Sequence, residues 1–271
     1  MNLDWPPTEA LSSSDATYAG YAEIYDALFD HLDTETGFYL TEAAQSLGGP
    51  GSILEVGSGT GRLTRHLLAA GHTVAAAEPS EAMLARAEPR LAQFGARYQP
   101  HHSDIGSLEL DERFLLAVAP YGVVAHLLTD EDRLSAFRSV YEHLDPGGVF
   151  IFDDMPGWLG AAADSRVLSE RSKGTDPATG MTVRLLCNTM DVSDQPLSVR
   201  YDIIDWLVDG KVARRAVIRV VFRNIPLDEE LALLRRAGFD DVELFGDFNA
   251  TPFDTDDLSA NERLIVKCHR R

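Results

Sequence analysis

The sequence predicts an α/β fold: a parallel sheet with helices on both faces, followed after the fifth strand by an antiparallel β insert. Three observations carry this. Short strands at Ser52–Val56, His72–Ala77, Arg97–His101, Phe114–Ala119 and Gly148–Asp153 are interleaved with segments of helical spacing. A glycine turn, Gly57-Ser58-Gly59-Thr60-Gly61, joins the first of these strands to a helix. After Asp154 the interleaving stops, and three long β-rich segments follow with no helix between them.

In chain order, residues 1–14 read as a loose arm. Residues 15–47 read as two helices: Tyr18, Tyr21, Tyr25, Leu28 and Leu32 recur at helical spacing, and a second run from Phe38-Tyr39 to Leu47 stops at Gly48-Gly49. Arg62–Ala70 is a helix closed by Gly71. Glu81–Leu91 is a helix with Ser80 as N-cap, interrupted near Pro89. The helix over Glu131–Leu144 sets Leu134, Phe137, Val140, Tyr141 and Leu144 on one face. Met181–Val192, Leu197–Val208 and Val212–Asn224 are the strands of the insert, the last two joined at Asp209-Gly210 as a tight hairpin. Leu227–Ala237 returns to helix and stops at Gly238, before two final strands at Asp241–Phe245 and Arg263–Cys268. This divides the chain into an N-terminal helical arm or lid (1–47), an α/β domain (48–154 with 225–271) and an antiparallel β insert (155–224).

Composition narrows the function. The 271 residues are 45% apolar, enough for a sizeable core. A net charge of −19 repels phosphate backbones, so nucleic acid is not an expected partner. No apolar run reaches the roughly 18 residues a membrane span needs, and the acidic, polar N-terminus does not read as a signal peptide. Cys187 and Cys268 lie far apart and read as reduced, consistent with a cytoplasmic protein. The eight histidines show no metal-ligand spacing, so no metal is expected.

A strand, a glycine turn and a helix make a cradle at the helix N-terminus. The alternative is a tight connection that holds nothing. The spacing is G-x-G-x-G, and Arg62 stands where a dinucleotide fold places its third glycine. Glu55 precedes the turn; it would repel a pyrophosphate but suits an ammonium. Glu78 ends the second strand, where an acid accepts from ribose hydroxyls. Asp104 ends the third, where a carboxylate accepts from an exocyclic amine. Three acids at three successive strand ends describe a ligand with an amine, a ribose and an adenine, and no phosphate.

Together, E-V-G-S-G-T-G, Glu78 with Pro79-Ser80 and Met83-Leu84 after it, S-D-I at 103–105 and L-D-P-G-G at 144–148 resemble class I S-adenosylmethionine-dependent methyltransferases. The resemblance covers about residues 18–154 and, more loosely, the C-terminal helix and strands. It implies a Rossmann-like sheet, S-adenosyl-L-methionine as cofactor and S-adenosyl-L-homocysteine as product. By it, Gly57, Gly59 and Gly61 back the methionine moiety and Glu55 lies near its amino end. Glu78 takes the ribose hydroxyls, Met83 packs on the adenine, Asp104 accepts from the adenine amine, and Ile105 covers the ring. Met83 and Ile105 have core packing as their alternative, and Glu78 and Asp104 have capping. The fourth strand departs from the family pattern: Arg113-Phe114-Leu115-Leu116 carries no acid.

The segment after the fourth strand, APYGVVAHL at 119–127, is similar to an element of small-molecule methyltransferases that include amino-sugar N,N-dimethyltransferases. His126 is thereby a candidate general base near neutral pH, the alternative being a helix-entry residue bonded to backbone. TYAGYAEIYD at 17–26 resembles the tyrosine-rich helix of the same enzymes: Tyr25 closes over the cofactor, and Tyr18 or Tyr21 faces the acceptor. The acceptor expected is a small molecule, first an amine of an amino sugar or amino acid. O-methylation of a hydroxylated metabolite and a cofactor-binding protein that does not methylate are the alternatives. Arg215, Arg219 and Arg223 share one strand face, able to grip a carboxylate or sugar-nucleotide diphosphate, or else solvated and paired with acids. The edge of the insert offers itself to a second copy, as a homodimer.

Overall fold

Residues 18, 21–154, 168–192 and 195–271 are described by the computed structural model. The expected arm at 1–14 and the first part of the insert, 155–167, lie outside them. Strands β1 (Ser52–Val56), β2 (Thr73–Glu78), β3 (Tyr98–His102), β4 (Phe114–Ala119) and β5 (Leu144–Asp154) run parallel. Strands β10 (Asp241–Phe245) and β11 (Leu264–His269) complete the sheet antiparallel, giving the order β10-β11-β5-β4-β1-β2-β3. β10 therefore runs in the same direction as the first five strands, and β11 between it and β5 is the reversed strand. The segment 246–263 returns the chain from β10 to its antiparallel neighbour β11 with no α-helical crossover, so β11 enters beside β5 from the opposite end.

Helices α2 (Thr36–Leu47), α3 (Arg62–Ala69), α4 (Glu81–Leu91), α5 (Asp130–His143) and α6 (Leu227–Ala237) flank the sheet. Strands buried on both faces read as near-continuous apolar runs, and the core divides accordingly. One layer gathers Leu54, Val56, Phe137 and Phe239; the other gathers Ile53, Leu67, Val74 and Ile151. Arg133 of α5 is wholly buried and donates to both carboxylate oxygens of Glu230 on α6, at 2.7 and 2.8 Å. It also reaches Asp154 at the end of β5, at 3.4 Å. One guanidinium thus ties two helices to the sheet.

The antiparallel insert has four strands in the order β6-β7-β8-β9. Strands β7 (Thr182–Asp191), β8 (Leu197–Val208) and β9 (Lys211–Arg223) follow the expected segments. Asp209 and Gly210 both have positive φ, 49° and 73°, as the hairpin turn requires. Strand β6 (Ser169–Thr175) was not legible: SERSKGT has no apolar residue to alternate, and the strand is held by its ladder to β7. Near the N-terminus, helix α1 covers only Tyr25–Phe29, and Tyr21, Leu28 and Phe29 pack on Val183, Leu185 and Trp206 of the insert. This segment bridges the two sheets. Ser80 occupies the N-cap position of α4, but its hydroxyl makes no capping bond; instead its N–H donates to Glu78 at 3.0 Å. Among the described residues no helix is long and apolar enough to cross a membrane.

Candidate active site

Strand order reverses between β1, which is followed by β2, and β4 on its other side. The carboxyl ends of the parallel strands open there into a crevice, the place where α/β sheets bind ligands. Its main cavity runs from the glycine turn past Glu55 and Glu78 to Met83, Asp104 and Ile105. A second cavity, walled by aromatic rings, lies beneath the insert, and Tyr18, Tyr25, Tyr121 and His126 line both.

Gly57 and Gly59 face the main cavity with φ of 68° and 57°. A Cβ on Gly57 would lie 2.4 Å from Val123 Cγ2, so that glycine also admits the loop after β4. Gly61 does not line the cavity. It takes φ of 82° at the N-cap of α3, and a Cβ there would meet Leu91 of α4 at 2.5 Å, so its place in the turn is one of helix packing.

Glu55 is 1% exposed, and burial pushes its carboxyl up to about 8, with Thr64 and Arg62 pulling the other way. Its Oε2 has no hydrogen-bond partner. Ser58 Oγ and Arg62 Nε, on the same cavity wall, are likewise buried and unpartnered. Arg62 is also bound to Glu35, wholly buried 27 positions earlier in the chain. A carboxyl, a hydroxyl and a guanidinium with hydrogen-bonding capacity to spare fit a zwitterionic ligand: the ammonium of a methionine moiety at Glu55, its carboxylate at Arg62. Glu78 accepts from Gly59 N at 2.8 Å through Oε2 and from Ser80 N through Oε1. It thereby shapes the glycine turn while keeping a face on the cavity. Asp104, exposed at the cavity mouth, caps its own turn by accepting from Gly106 N at 2.8 Å. Met83 and Ile105 are buried at 1% and 4%, each part of a core cluster as well as a cavity wall.

The aromatic cavity differs in chemistry. His126 Nε2 lies 2.9 Å from the Tyr18 hydroxyl. The imidazole packs against Phe222 at 5.0 Å between ring centres and edge-on to Tyr18 at 5.4 Å. Its remaining accessible surface faces the cavity, and burial, with Arg200 nearby, pushes its pKa down to about 4. That lies well below the near-neutral value expected of the candidate general base and favours the neutral imidazole. Burial pushes the Tyr18 phenol up to about 12, so it stays protonated as well. Tyr21 donates to Asp202, which holds Arg200 through two 2.9 Å bonds from Nε. Tyr21 lines only the aromatic cavity, and Tyr25 lines both.

Two features escaped the reading by pattern. Tyr121 has φ of 67°, in the left-handed region that favours glycine, and its N–H donates to Asp153 Oδ1 at 2.6 Å. The Arg62 guanidinium lies 4.8 Å from the centre of its ring and that of Arg263 5.5 Å. The Tyr121-Gly122 pair at a strand end was the available signal. The arginine face on β9 resolves into pairs: Arg215 bonds Asp205 at 2.6 Å and Arg223 bonds Asp130. Among the described residues, no three His, Cys, Asp or Glu side chains converge as a metal ion would need.

Residues 53–148 match the methyltransferase domain family. Over 257 residues the chain is 25% identical to YqeM of Bacillus subtilis, which bears the name of a methyltransferase, covering 93% of this chain and 97% of that one. It is 34% identical over 108 residues to the dTDP-3-amino-3,4,6-trideoxy-alpha-D-glucopyranose N,N-dimethyltransferase of Streptomyces venezuelae, covering 40% of this chain and 43% of the relative. Among solved structures, an S-adenosylmethionine-dependent methyltransferase from Clostridium acetobutylicum superposes with a TM-score of 0.74 at 20% identity, covering 93% of this chain and 98% of that chain.

Proposed function

We propose that this S-adenosylmethionine-dependent methyltransferase places its methyl group on an amine nitrogen of a small molecule. The observation that carries the choice of nitrogen is the packing of His126 against Phe222 and its contact with the Tyr18 hydroxyl, a burial that pushes its pKa down to about 4. An alcohol needs a base to become a nucleophile, and among the described residues no carboxylate lines the aromatic cavity. An amine needs only to arrive with its lone pair free, having lost its proton to solvent. The Streptomyces venezuelae relative is named for methylating an amine, which agrees.

Bound in the main cavity, S-adenosylmethionine supplies a methyl carbon already activated by a positively charged sulfur. The residues that would hold it are Glu55 at the ammonium, Arg62 at the carboxylate, Glu78 at the ribose hydroxyls, and Met83, Ile105 and Asp104 around the adenine. What remains for the chain to supply is alignment, which accounts for most of the rate in such displacements. His126 and Tyr18 form a neutral hydrogen-bonding pair at the junction of the two cavities. The pair orients the amine N–H so that the lone pair faces the main cavity. The rings of Tyr25, Tyr121 and Phe222 keep water from competing for the same place.

The test is mass spectrometry of acceptor panels incubated with the cofactor. Matched amines and alcohols are compared for a gain of one CH2 per transfer. Products among the amines alone support the reading. Products among the alcohols overturn the choice of nitrogen.

A further inference from the structure

We propose that the acceptor also carries an anionic group, a carboxylate or a phosphate, and that Arg171 binds it. The proposal rests on taking the aromatic cavity as the acceptor site. The chain has a net charge of −19, yet Arg171, Arg200 and Arg263 line this cavity and, among the described residues, no carboxylate does. Arg200 and Arg263 are neutralised from behind, by Asp202 and by Asp153 at 2.9 Å. Arg171 forms no ion pair among the described residues; its hydrogen bond, at 3.4 Å, goes to the hydroxyl of Tyr121. Among the described residues, nothing supplies this half-buried guanidinium with the counter-charge that would offset its desolvation.

The backbone presents Arg171 by a specific device. The ladder between β6 and β7 pairs Glu170 with Leu186 and Ser172 with Leu185, so Arg171 is the extra residue of a β-bulge. Strict alternation would send residues 171 and 172 to opposite faces; a bulge on an edge strand breaks that alternation and re-aims a side chain. The rest of β6 is pinned against the segment that roofs the cavity. Ser172 donates to the Leu28 carbonyl, and Gly174 sits so close to Ala27 that a Cβ would lie 2.0 Å from its oxygen. Tyr121, the partner of Arg171, is itself fixed by Asp153. A guanidinium aimed and held in this way, with donors to spare, is the geometry that grips a carboxylate or phosphate.

The test starts from protein saturated with S-adenosylhomocysteine. At constant ionic strength, chloride is replaced by inorganic phosphate or by acetate, and the melting temperature is followed. The expected result is a rise in the wild type that is lost in Arg171→Gln and partly kept in Arg171→Lys, with cofactor affinity unchanged. No rise, or the same rise in Arg171→Gln, overturns the proposal. The stronger of the two anions tells phosphate from carboxylate. Turnover is then compared for glucosamine, glucosamine 6-phosphate and glucosaminuronic acid. The KM of an anionic member should lie about tenfold or more below that of glucosamine, and the gap should close in Arg171→Gln. Equal KM values in the wild type overturn the proposal. Methylation of none of the three, with the anion-dependent melting shift present, counts against the amine reading and leaves the anion site standing.

Discussion

His126 Nε2 and the Tyr18 hydroxyl, 108 positions apart in the chain, lie 2.9 Å from each other where the two cavities meet. With the imidazole pushed down to about 4 and the phenol up to about 12, both partners are neutral. The pair orients and does not store a proton. His126→Gln should therefore lower turnover roughly tenfold, the worth of one hydrogen bond at about 1.4 kcal/mol. The acid limb of the pH–rate profile should stay where the acceptor amine titrates, in wild type and variant alike. A limb that disappears in the variant would restore His126 as a general base.

The same residue makes stability depend on pH. In the unfolded chain His126 titrates near 6.5; in the fold, near 4. Between those values the unfolded state binds more protons, so stability rises with pH and is lost as pH falls from 6.5 towards 4. The contribution is about 3 kcal/mol. Urea unfolding from pH 7 to 4 should show a steeper loss in the wild type than in His126→Phe; parallel curves would refute it.

Glu55 predicts a pH-dependent affinity. Its folded carboxyl titrates at about 8, so below that pH the free protein carries it protonated. A ligand ammonium needs the ionised form, and binding then releases a proton. The Kd for S-adenosylhomocysteine should fall as pH rises from 6 and level off near 8, approaching tenfold per unit at the acid end. Calorimetry in buffers of different ionisation heat reads the released proton directly. In Glu55→Gln the affinity should be weaker and flat with pH.

The glycines of the turn are not equivalent. Gly57→Ala would place its Cβ 2.4 Å from Val123 Cγ2 at a φ of 68°, whereas Gly59→Ala meets nothing within 4 Å at a φ of 57°. Backbone strain alone costs about 1 kcal/mol, and the clash adds some 1–3 kcal/mol. Chemical denaturation should rank Gly57→Ala well below Gly59→Ala. Adding Val123→Ala should recover part of the difference; if it recovers none, the clash is not the cause.

Asp153 supports the strained Tyr121. It accepts from Tyr39 Oη at 2.8 Å, from Tyr121 N at 2.6 Å and from Arg263 at 2.9 Å. Asp153→Ala removes the carboxylate that faces the Arg263 guanidinium and the acceptor of the left-handed Tyr121 N–H, at a cost of about 3–5 kcal/mol, that of breaking a buried pair. The loss should appear as a lower melting temperature and a raised acceptor KM. Near-wild-type values for both would remove Asp153 from this role.

The alternation of strands and helices, the glycine turn and the acids Glu55, Glu78 and Asp104 were all legible, because each depends on residues near one another in the chain. Period 3.6 and period 2 are local, and a strand end followed by glycines marks the same end of the sheet in every repeat. The hairpin at Asp209-Gly210 was equally plain, since its turn chemistry is written in two residues. What local pattern could not supply was anything set by a partner far along the chain. Strand β6 has a polar sequence and is a strand only because β7 pairs with it. Arg62 read as an interruption of a glycine pattern, whereas folding places it on the cavity wall beside Glu35. The basicity of His126 was decided by desolvation and by Arg200, 74 residues away, and burial is a property of the assembled core. Arg171 is directed by a bulge and Tyr121 by a carboxylate on a neighbouring strand. Local pattern alone wrote the alternation of strands and helices and the glycine turn that marks one end of the sheet. The tertiary structure alone decided which charges face that chemistry uncompensated, because charge compensation depends on distance in space.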